Sequence, residues 1–131
     1  MKSAEAVVRE ILALAGAMDT DGLARHLHDD VVMKLPFAPA PLKREHRGKA
    51  VVVDFQRRSA TSFATFAMTI DAVHVADDGR TVVAEHSSVG TAATTGREYR
   101  NRYVTVFELD AGLVTSWREY YDPDAVRAAF P

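Results

Sequence analysis

Two short turn signals divide the second half of the chain into strands. Asp77-Asp78-Gly79 and Asp110-Ala111-Gly112 each lie between long runs rich in β-branched and aromatic residues. A glycine that ends such a turn is typical of a tight β-hairpin. The sequence therefore predicts two antiparallel hairpins, and their four strands are the runs 63–76, 80–90, 97–109 and 113–121.

The first half of the chain has a helical pattern instead. After a capping Ser3, apolar residues recur at helical spacing from Val7 to Met18. Helices followed by an antiparallel meander indicate an α+β fold rather than alternating βαβ units. The further predicted elements are a short helix over 23–28, a strand over 31–35, a long loop over 36–48 with three prolines, a helix over 49–60 and a brief closing helix over 125–130.

Length and composition limit the class of protein. The 131 residues suit one domain, spanning 1–131. The absence of cysteine excludes disulfide scaffolds and thiolate chemistry, and a net charge of −2 argues against nucleic-acid binding. The longest apolar run near the N-terminus, 11–18, is too short to cross a membrane, so we expect a cytoplasmic protein. His26 and His28 do not share a helix face, and we expect no metal.

The last hairpin carries an unusual inner face. A three-residue turn would close Leu109 against Leu113 and set Tyr103 opposite Glu119. Burying a carboxylate among aromatic rings costs free energy unless it is paired with another group or protonated. An aromatic face that carries a few polar side chains is typical of a small-molecule pocket. The side chains predicted to share this face are Tyr99, Asn101, Tyr103, Thr105, Phe107, Leu109, Leu113, Thr115, Trp117, Glu119 and Tyr121.

The other hairpin is predicted to turn a histidine toward the same interior. The same turn rule sets Ile70 opposite His86, on the more apolar of the two faces. The members of that face are Phe66, Met68, Ile70, Ala72, Val82, Ala84, His86 and Ser88. The outer face of the last hairpin mixes apolar groups with arginines, as a dimer interface does. Its members include Arg100, Arg102, Val104, Val106, Val114, Arg118 and Tyr120.

Several short motifs together resemble the SnoaL-like branch of the NTF2-like superfamily over nearly the whole chain. They are Asp29-Asp30-Val31-Val32, Arg47-Gly48-Lys49, and the ending Tyr103-Val-Thr-Val-Phe107, Asp110-Ala-Gly112 and Trp117-Arg-Glu-Tyr-Tyr-Asp-Pro123. The resemblance implies a cone in which three N-terminal helices pack on a curved, mainly antiparallel sheet around one pocket. It also implies a homodimer formed sheet to sheet. Members of the superfamily include isomerases, polyketide cyclases, epoxide hydrolases and proteins that only bind.

The chain departs from ketosteroid isomerase within that superfamily. Leu35 stands where that enzyme carries its base Asp, Ile11 where it carries an oxyanion-hole Tyr, and Tyr103 where it carries a protonated Asp. Two of the three positions are therefore apolar, so we do not expect true ketosteroid isomerase activity. Phenazine-type A/B proteins resemble this chain in placing a Glu on the last strand, which implies an acid/base role for Glu119.

These observations lead to one preferred function and one alternative. We expect a cofactor-free enzyme performing isomerisation, cyclisation or dehydration on a hydrophobic, cyclic metabolite, with Glu119 as acid/base, His86 as its proton partner and Tyr103 as hydrogen-bond donor. The alternative is a domain of the same fold that binds a small molecule or serves as a dimer scaffold. Substrate contacts are predicted from Phe55, Met68, Ile70, Ser88, Asn101, Phe107, Trp117 and Tyr121.

Each of these side chains also has an ordinary structural interpretation. Glu119 would be a paired carboxylate if it bonded Tyr103 or a neighbouring arginine, and His86 would be a satisfied core histidine. His46 belongs to a basic cluster in the long loop, which is expected to be solvated or to hold an anionic substrate tail. The other members of that cluster are Lys43, Arg44 and Arg47.

Overall fold

The computed structural model describes residues 2–131 as an open, curved six-stranded sheet with helices packed against it. The strand order is β2-β1-β6-β5-β4-β3, and only the pairing of β1 with β6 is parallel. This confirms the predicted α+β fold. The elements in chain order are α1 (Ala4–Gly16), α2 (Thr20–Ala24), β1 (Leu27–Lys34), β2 (Glu45–Arg47), α3 (Lys49–Thr61), β3 (Phe63–Val75), β4 (Thr81–Ala92), β5 (Glu98–Asp110), β6 (Leu113–Tyr121) and α4 (Pro123–Ala129).

Capping side chains set the helix boundaries. Ser3 accepts a hydrogen bond from the backbone N–H of Ala6. Asp122, which directly precedes the first residue of α4, Pro123, accepts one from the backbone N–H of Asp124. Asp19 caps α2 through the N–H of Gly22, so this helix begins at residue 20 and not at 23 as the sequence predicted. These caps satisfy backbone donors that the helices themselves leave unpaired.

The segment after α2 also differs from the prediction. β1 begins at Leu27, four residues earlier than expected, because the backbone there pairs with β6. The predicted long loop ends in a short strand, since Met33 pairs with His46 of β2. His46 is therefore buried at 4% exposure and stacks on Phe55 with ring centroids 4.1 Å apart, rather than lying in a solvated basic cluster.

The last hairpin is out of the predicted register by one residue at its turn and by two residues beyond a bulge. Its turn has two residues rather than three, with positive φ at both Ala111 (49°) and Gly112 (79°), as a type I′ turn requires. A bulge then leaves Thr115 unpaired. Thr105 consequently pairs with Glu119 instead of Trp117. Val114, predicted to face outward, is fully buried.

The shift of two residues preserves the predicted alternation beyond the bulge, because side chains alternate with a period of two. Trp117 pairs with Phe107, and Tyr121 pairs with Tyr103. In the other hairpin Ile70 pairs with His86 as predicted, and a bulge after Ile70 places Val73 opposite Ala84.

The main apolar core lies between α1 and the inner face of the sheet. Val8, Ile11 and Leu12 of α1 are buried there with Phe107 and Trp117, whose rings lie 5.0 Å apart. No helix in the described part of the chain is long and apolar enough to span a membrane.

Candidate functional site

A cavity of about 460 Å³ opens beyond this core. Helices α1, α3 and α4, the loop 39–42 and the strands β3, β5 and β6 all contribute to its wall. Most of the lining is apolar, with a few polar groups pointing into it, which is the usual composition of a ligand pocket. Its aromatic and polar lining residues include Phe55, Gln56, Ser59, Phe63, Phe66, Tyr99, Tyr103, Trp117, Glu119, Tyr121 and Phe130.

Glu119 is the carboxylate that the sheet contributes to the cavity wall. It lies in the middle of β6, and its hydrogen bond within residues 2–131 is a long one of 3.4 Å from the indole N–H of Trp117. Burial raises the pKa of Glu119 to about 7, and the Trp117 bond opposes that rise only in part. The part of its surface that remains accessible borders the cavity. The group can therefore hold or release a proton near neutral pH.

A chain of hydrogen bonds joins two tyrosines beside the cavity. The Tyr103 hydroxyl lies 2.7 Å from Ser88 Oγ and 2.8 Å from the Tyr99 hydroxyl, and the Asn101 amide donates to Tyr99 at 2.9 Å. Asn101 is anchored in turn by the backbone of Asp122. Burial raises the pKa of Tyr99 to about 12 and that of Tyr103 further still. Both phenols therefore stay protonated and act as donors.

One polarity of this hydrogen-bond chain leaves a phenolic proton for a ligand. The Ser88 and Tyr103 hydroxyls can each donate to the other, and Ser88 has no other hydrogen-bond partner in the described residues, which favours Ser88 as the donor. Asn101 donates to Tyr99, and the bond between the two phenols uses one phenolic proton, whichever side chain donates it. When Ser88 is the donor to Tyr103, the other phenolic proton is free, and both tyrosines line the cavity.

His86 lies behind this wall and not on it. It is 1% exposed, its Nε2 is 2.8 Å from Thr105 Oγ1, and its ring stacks on Tyr103 with centroids 4.8 Å apart. Burial lowers the pKa of His86 to about 4, which leaves the imidazole neutral near pH 7. Thr105 pairs with Glu119 in the sheet and so stands between the histidine and the carboxylate. The structure does not bring His86 into direct contact with Glu119.

The remaining predicted contacts divide into two groups. Four of them line the cavity, namely Phe55, Met68, Trp117 and Tyr121. Four others, Ile70, Ser88, Asn101 and Phe107, are not in the lining, although Ser88 and Asn101 hold the tyrosines in place. The sequence did not predict that Gln56, Ser59 and Phe130 line the cavity. Ser59 does lie at helical spacing from Phe55 in the sequence, which puts both on the same face of α3.

No group of three potential metal-binding side chains occurs among residues 2–131. Arg44 donates to the carbonyl of Ala38 at 3.0 Å, which closes the loop beside the cavity. Lys43, Arg44 and Arg47 are exposed, and Arg47 pairs with Glu45.

Comparison with known proteins agrees with this architecture. The sequence matches the SnoaL-like domain family over residues 8–117. It is 27% identical over 123 residues to the uncharacterised protein YesE of Bacillus subtilis, covering 94% of this chain and 84% of that protein. A Bacillus subtilis crystal structure provisionally described as an isomerase superposes with a TM-score of 0.86 at 26% identity, covering 97% of this chain and 91% of that one. A Xanthomonas campestris structure provisionally described as a polyketide cyclase gives a TM-score of 0.80 at 23% identity, with 96% and 95% coverage, and shows likeness of fold.

Proposed function

The chain belongs to the SnoaL-like family, and we propose that it is an enzyme that moves a proton on a hydrophobic ring compound bound in its cavity. The observation that carries this proposal is Glu119, a carboxylate in an aromatic wall whose pKa lies near 7. General acid–base catalysis is most effective when the pKa of the group lies near the working pH. The reaction class is isomerisation, cyclisation or dehydration next to a carbonyl, without a cofactor.

The proposed reaction proceeds in two proton transfers. Ionised Glu119 takes a proton from the carbon beside the substrate carbonyl, and the electron pair of that C–H bond forms the enolate. The free phenolic proton of the Tyr99 and Tyr103 pair then donates a hydrogen bond to the enolate oxygen. Protonated Glu119 returns its proton to another carbon, or to a leaving hydroxyl in a dehydration. His86 serves in this scheme as the neutral ring on which Tyr103 stacks.

The test uses 5-nitrobenzisoxazole, a compound that any positioned base can open. Removal of its ring C–H proton breaks the N–O bond and releases a coloured cyanonitrophenolate, so no natural substrate is needed. We expect Glu119→Gln to lower the rate by about 10²- to 10⁴-fold. We also expect the wild-type rate to rise with pH through about 7, because the ionised carboxylate is the base.

The control for this experiment is Glu85→Gln, since Glu85 is exposed on the other face of the sheet. It should leave the rate unchanged. Equal rates for wild type and Glu119→Gln would contradict the acid/base role. If 4-phenylphenol binds in the cavity while no turnover depends on Glu119, the alternative function, a domain that only binds, is the correct one.

We also propose that two copies of this chain pair through the outer face of the sheet. Val89 and Val104 are 38% and 42% exposed on that face. Both signs of charge lie around them, in the ion pairs Arg100–Glu98 and Arg118–Glu108, so the face is complementary to a second copy of itself. Sedimentation should show that Val104→Arg yields monomers. Val51→Arg, at an equally exposed valine on α3, should stay dimeric. A monomeric wild type would contradict the pairing.

A further inference from the structure

Helix α3 presents a polar pair to the cavity that the proposed reaction does not use. Gln56 and Ser59 are three residues apart, so they lie on the same face of the helix, and both line the cavity. Gln56 Nε2 donates to Met33 Sδ at 3.5 Å, and a thioether is a weak acceptor. Within residues 2–131 the Gln56 carbonyl oxygen and the Ser59 hydroxyl make no hydrogen bond to another side chain or to the backbone. Both groups are free to bind a ligand.

Three charged side chains of α3 are occupied in ion pairs. Arg57 pairs with Asp21, and Arg58 pairs with Asp54, in each case at the exposed surface. Gln56 and Ser59 are only partly exposed, and apolar residues surround them in the cavity wall. Water can reach the Gln56 carbonyl oxygen and the Ser59 hydroxyl in the cavity, so a ligand that displaces this water must replace its hydrogen bonds. Their position indicates a polar partner that comes from a ligand.

This pair lies far from the tyrosine pair. Met33, which Gln56 contacts, pairs with Trp117, which pairs in turn with Phe107 of β5. Tyr103 is thus two strands away from Met33 and four residues further along the sheet, about 10 Å in one direction and about 13 Å in the other. Glu119 stands two residues from Trp117 on the strand between them. The two hydrogen-bonding groups therefore occupy opposite parts of the cavity, with the carboxylate between them.

We propose that Gln56 and Ser59 form a second hydrogen-bonding subsite, and that the substrate is a ring compound with two oxygen functions at opposite ends. One oxygen accepts from the tyrosine pair beside the reacting carbon, which rests on the proposed function. The other contacts the carboxamide of Gln56 and the hydroxyl of Ser59. The carboxamide both donates and accepts, so this second oxygen belongs to a hydroxyl or a carbonyl group.

Two matched probes test the subsite by calorimetry. 4,4′-Dihydroxybiphenyl carries a hydroxyl at each end of its two rings, whereas 4-phenylphenol carries only one. We expect the wild-type protein to bind the dihydroxy probe about three to ten times more tightly, the gain of one added neutral hydrogen bond. Gln56→Leu should bring this ratio to about one, and Ser59→Ala should lower it in part.

Three controls make the outcome decisive. Gln56→Leu should keep its affinity for 4-phenylphenol, which shows that the cavity is intact. Arg57→Leu, on the exposed side of α3, should leave the ratio unchanged. Tyr103→Phe should weaken both probes by a similar factor. An unchanged ratio in Gln56→Leu, or equal affinities of the wild type for both probes, overturns the subsite. If neither Tyr103→Phe nor Tyr99→Phe weakens either probe while Gln56→Leu abolishes the preference, the tyrosine end of the proposed function fails and the subsite stands.

Discussion

The inner face of β4, β5 and β6 has two ends that obey the same alternation but meet different neighbours. At one end Val82, Phe107 and Val114 are fully buried in the core that α1 covers. At the other end Tyr103 and Tyr121 face a cavity that the helices leave open. Side chains at the covered end are apolar, because nothing there supplies partners for polar groups. At the cavity end Ser88, Tyr99, Asn101 and Tyr103 hydrogen-bond one another, whereas Glu119 has only a long hydrogen bond from Trp117.

Two buried titratable groups near this boundary differ in whether a ligand in the cavity can reach them. Burial lowers the pKa of His86 and raises that of Glu119, so both groups tend to be neutral in the folded protein. His86 is sealed behind Tyr103 and bonds to Thr105, whereas Glu119 borders the cavity. The same physical cause, desolvation, thus gives a structural group in one place and a chemically available one in the other.

The largest effect of a single substitution is expected at the covered end. Phe107→Ala should lower the free energy of unfolding by about 4 kcal/mol, because a fully buried ring leaves a void that its neighbours fill only partly. Met68→Ala, at the half-buried wall of the existing cavity, should cost clearly less. Urea unfolding measures both. A greater loss for Met68→Ala would show that the two ends are not divided as described.

Glu119 should destabilise the fold at alkaline pH. Because folding raises the pKa of Glu119, its contribution to the free energy of unfolding is fully present below pH 4.5 and is lost as the pH rises through about 7. Glu119→Gln removes this loss and should raise the free energy of unfolding at pH 8 by up to about 3 kcal/mol, with little change at pH 4. Glu85→Gln, measured alongside, should show no such pH-dependent gain. A variant less stable than wild type at pH 8 would contradict this assignment.

His86 should act on stability at the opposite side of the pH scale. Its pKa is lowered in the folded protein, so its contribution is present above pH 6.5 and is lost as pH falls through about 4. The loss over that window should amount to at most about 3 kcal/mol. His86→Gln can keep the bond to Thr105 without titrating and should flatten the acid limb of the stability curve. His74→Gln, at an exposed site, should not. Identical acid limbs for wild type and His86→Gln would refute the effect.

The sequence predicted which side chains face inward better than it predicted how they pair. Alternation placed Glu119, Trp117 and Tyr121 on one face, and an error of two residues left that result intact. The register itself depends on Ala111, which adopts positive φ although it is not a glycine, and on the bulge at Thr115. The local sequence does not show that the turn has two residues instead of three, and it does not show that a bulge follows at Thr115.

The sequence predicted how deeply a side chain is buried less well than which face of the sheet it lies on. Alternation correctly turned His86 inward, but it could not show that the ring of Tyr103 covers the histidine, because that depends on how the helices pack over the sheet. The prediction that His46 lies in a solvated loop is wrong for a related reason. Its burial comes from pairing with β1 and from the ring of Phe55, which are distant in sequence.

The substitution with the smallest expected effect tests which of the two phenols, Tyr99 or Tyr103, donates its proton to a ligand. Ser88→Ala removes the hydroxyl that is hydrogen-bonded to Tyr103 and should cost about 1 kcal/mol of stability. Thr65→Ala, which removes an exposed hydroxyl bonded to Thr91, is the control and should cost less. If Tyr103 supplies the proton to a ligand, loss of the Ser88 bond makes that phenol a weaker donor, and 4-phenylphenol should bind more weakly. If Tyr99 supplies it, the change acts only through the bond between the phenols, and the affinity should fall less than in Tyr99→Phe.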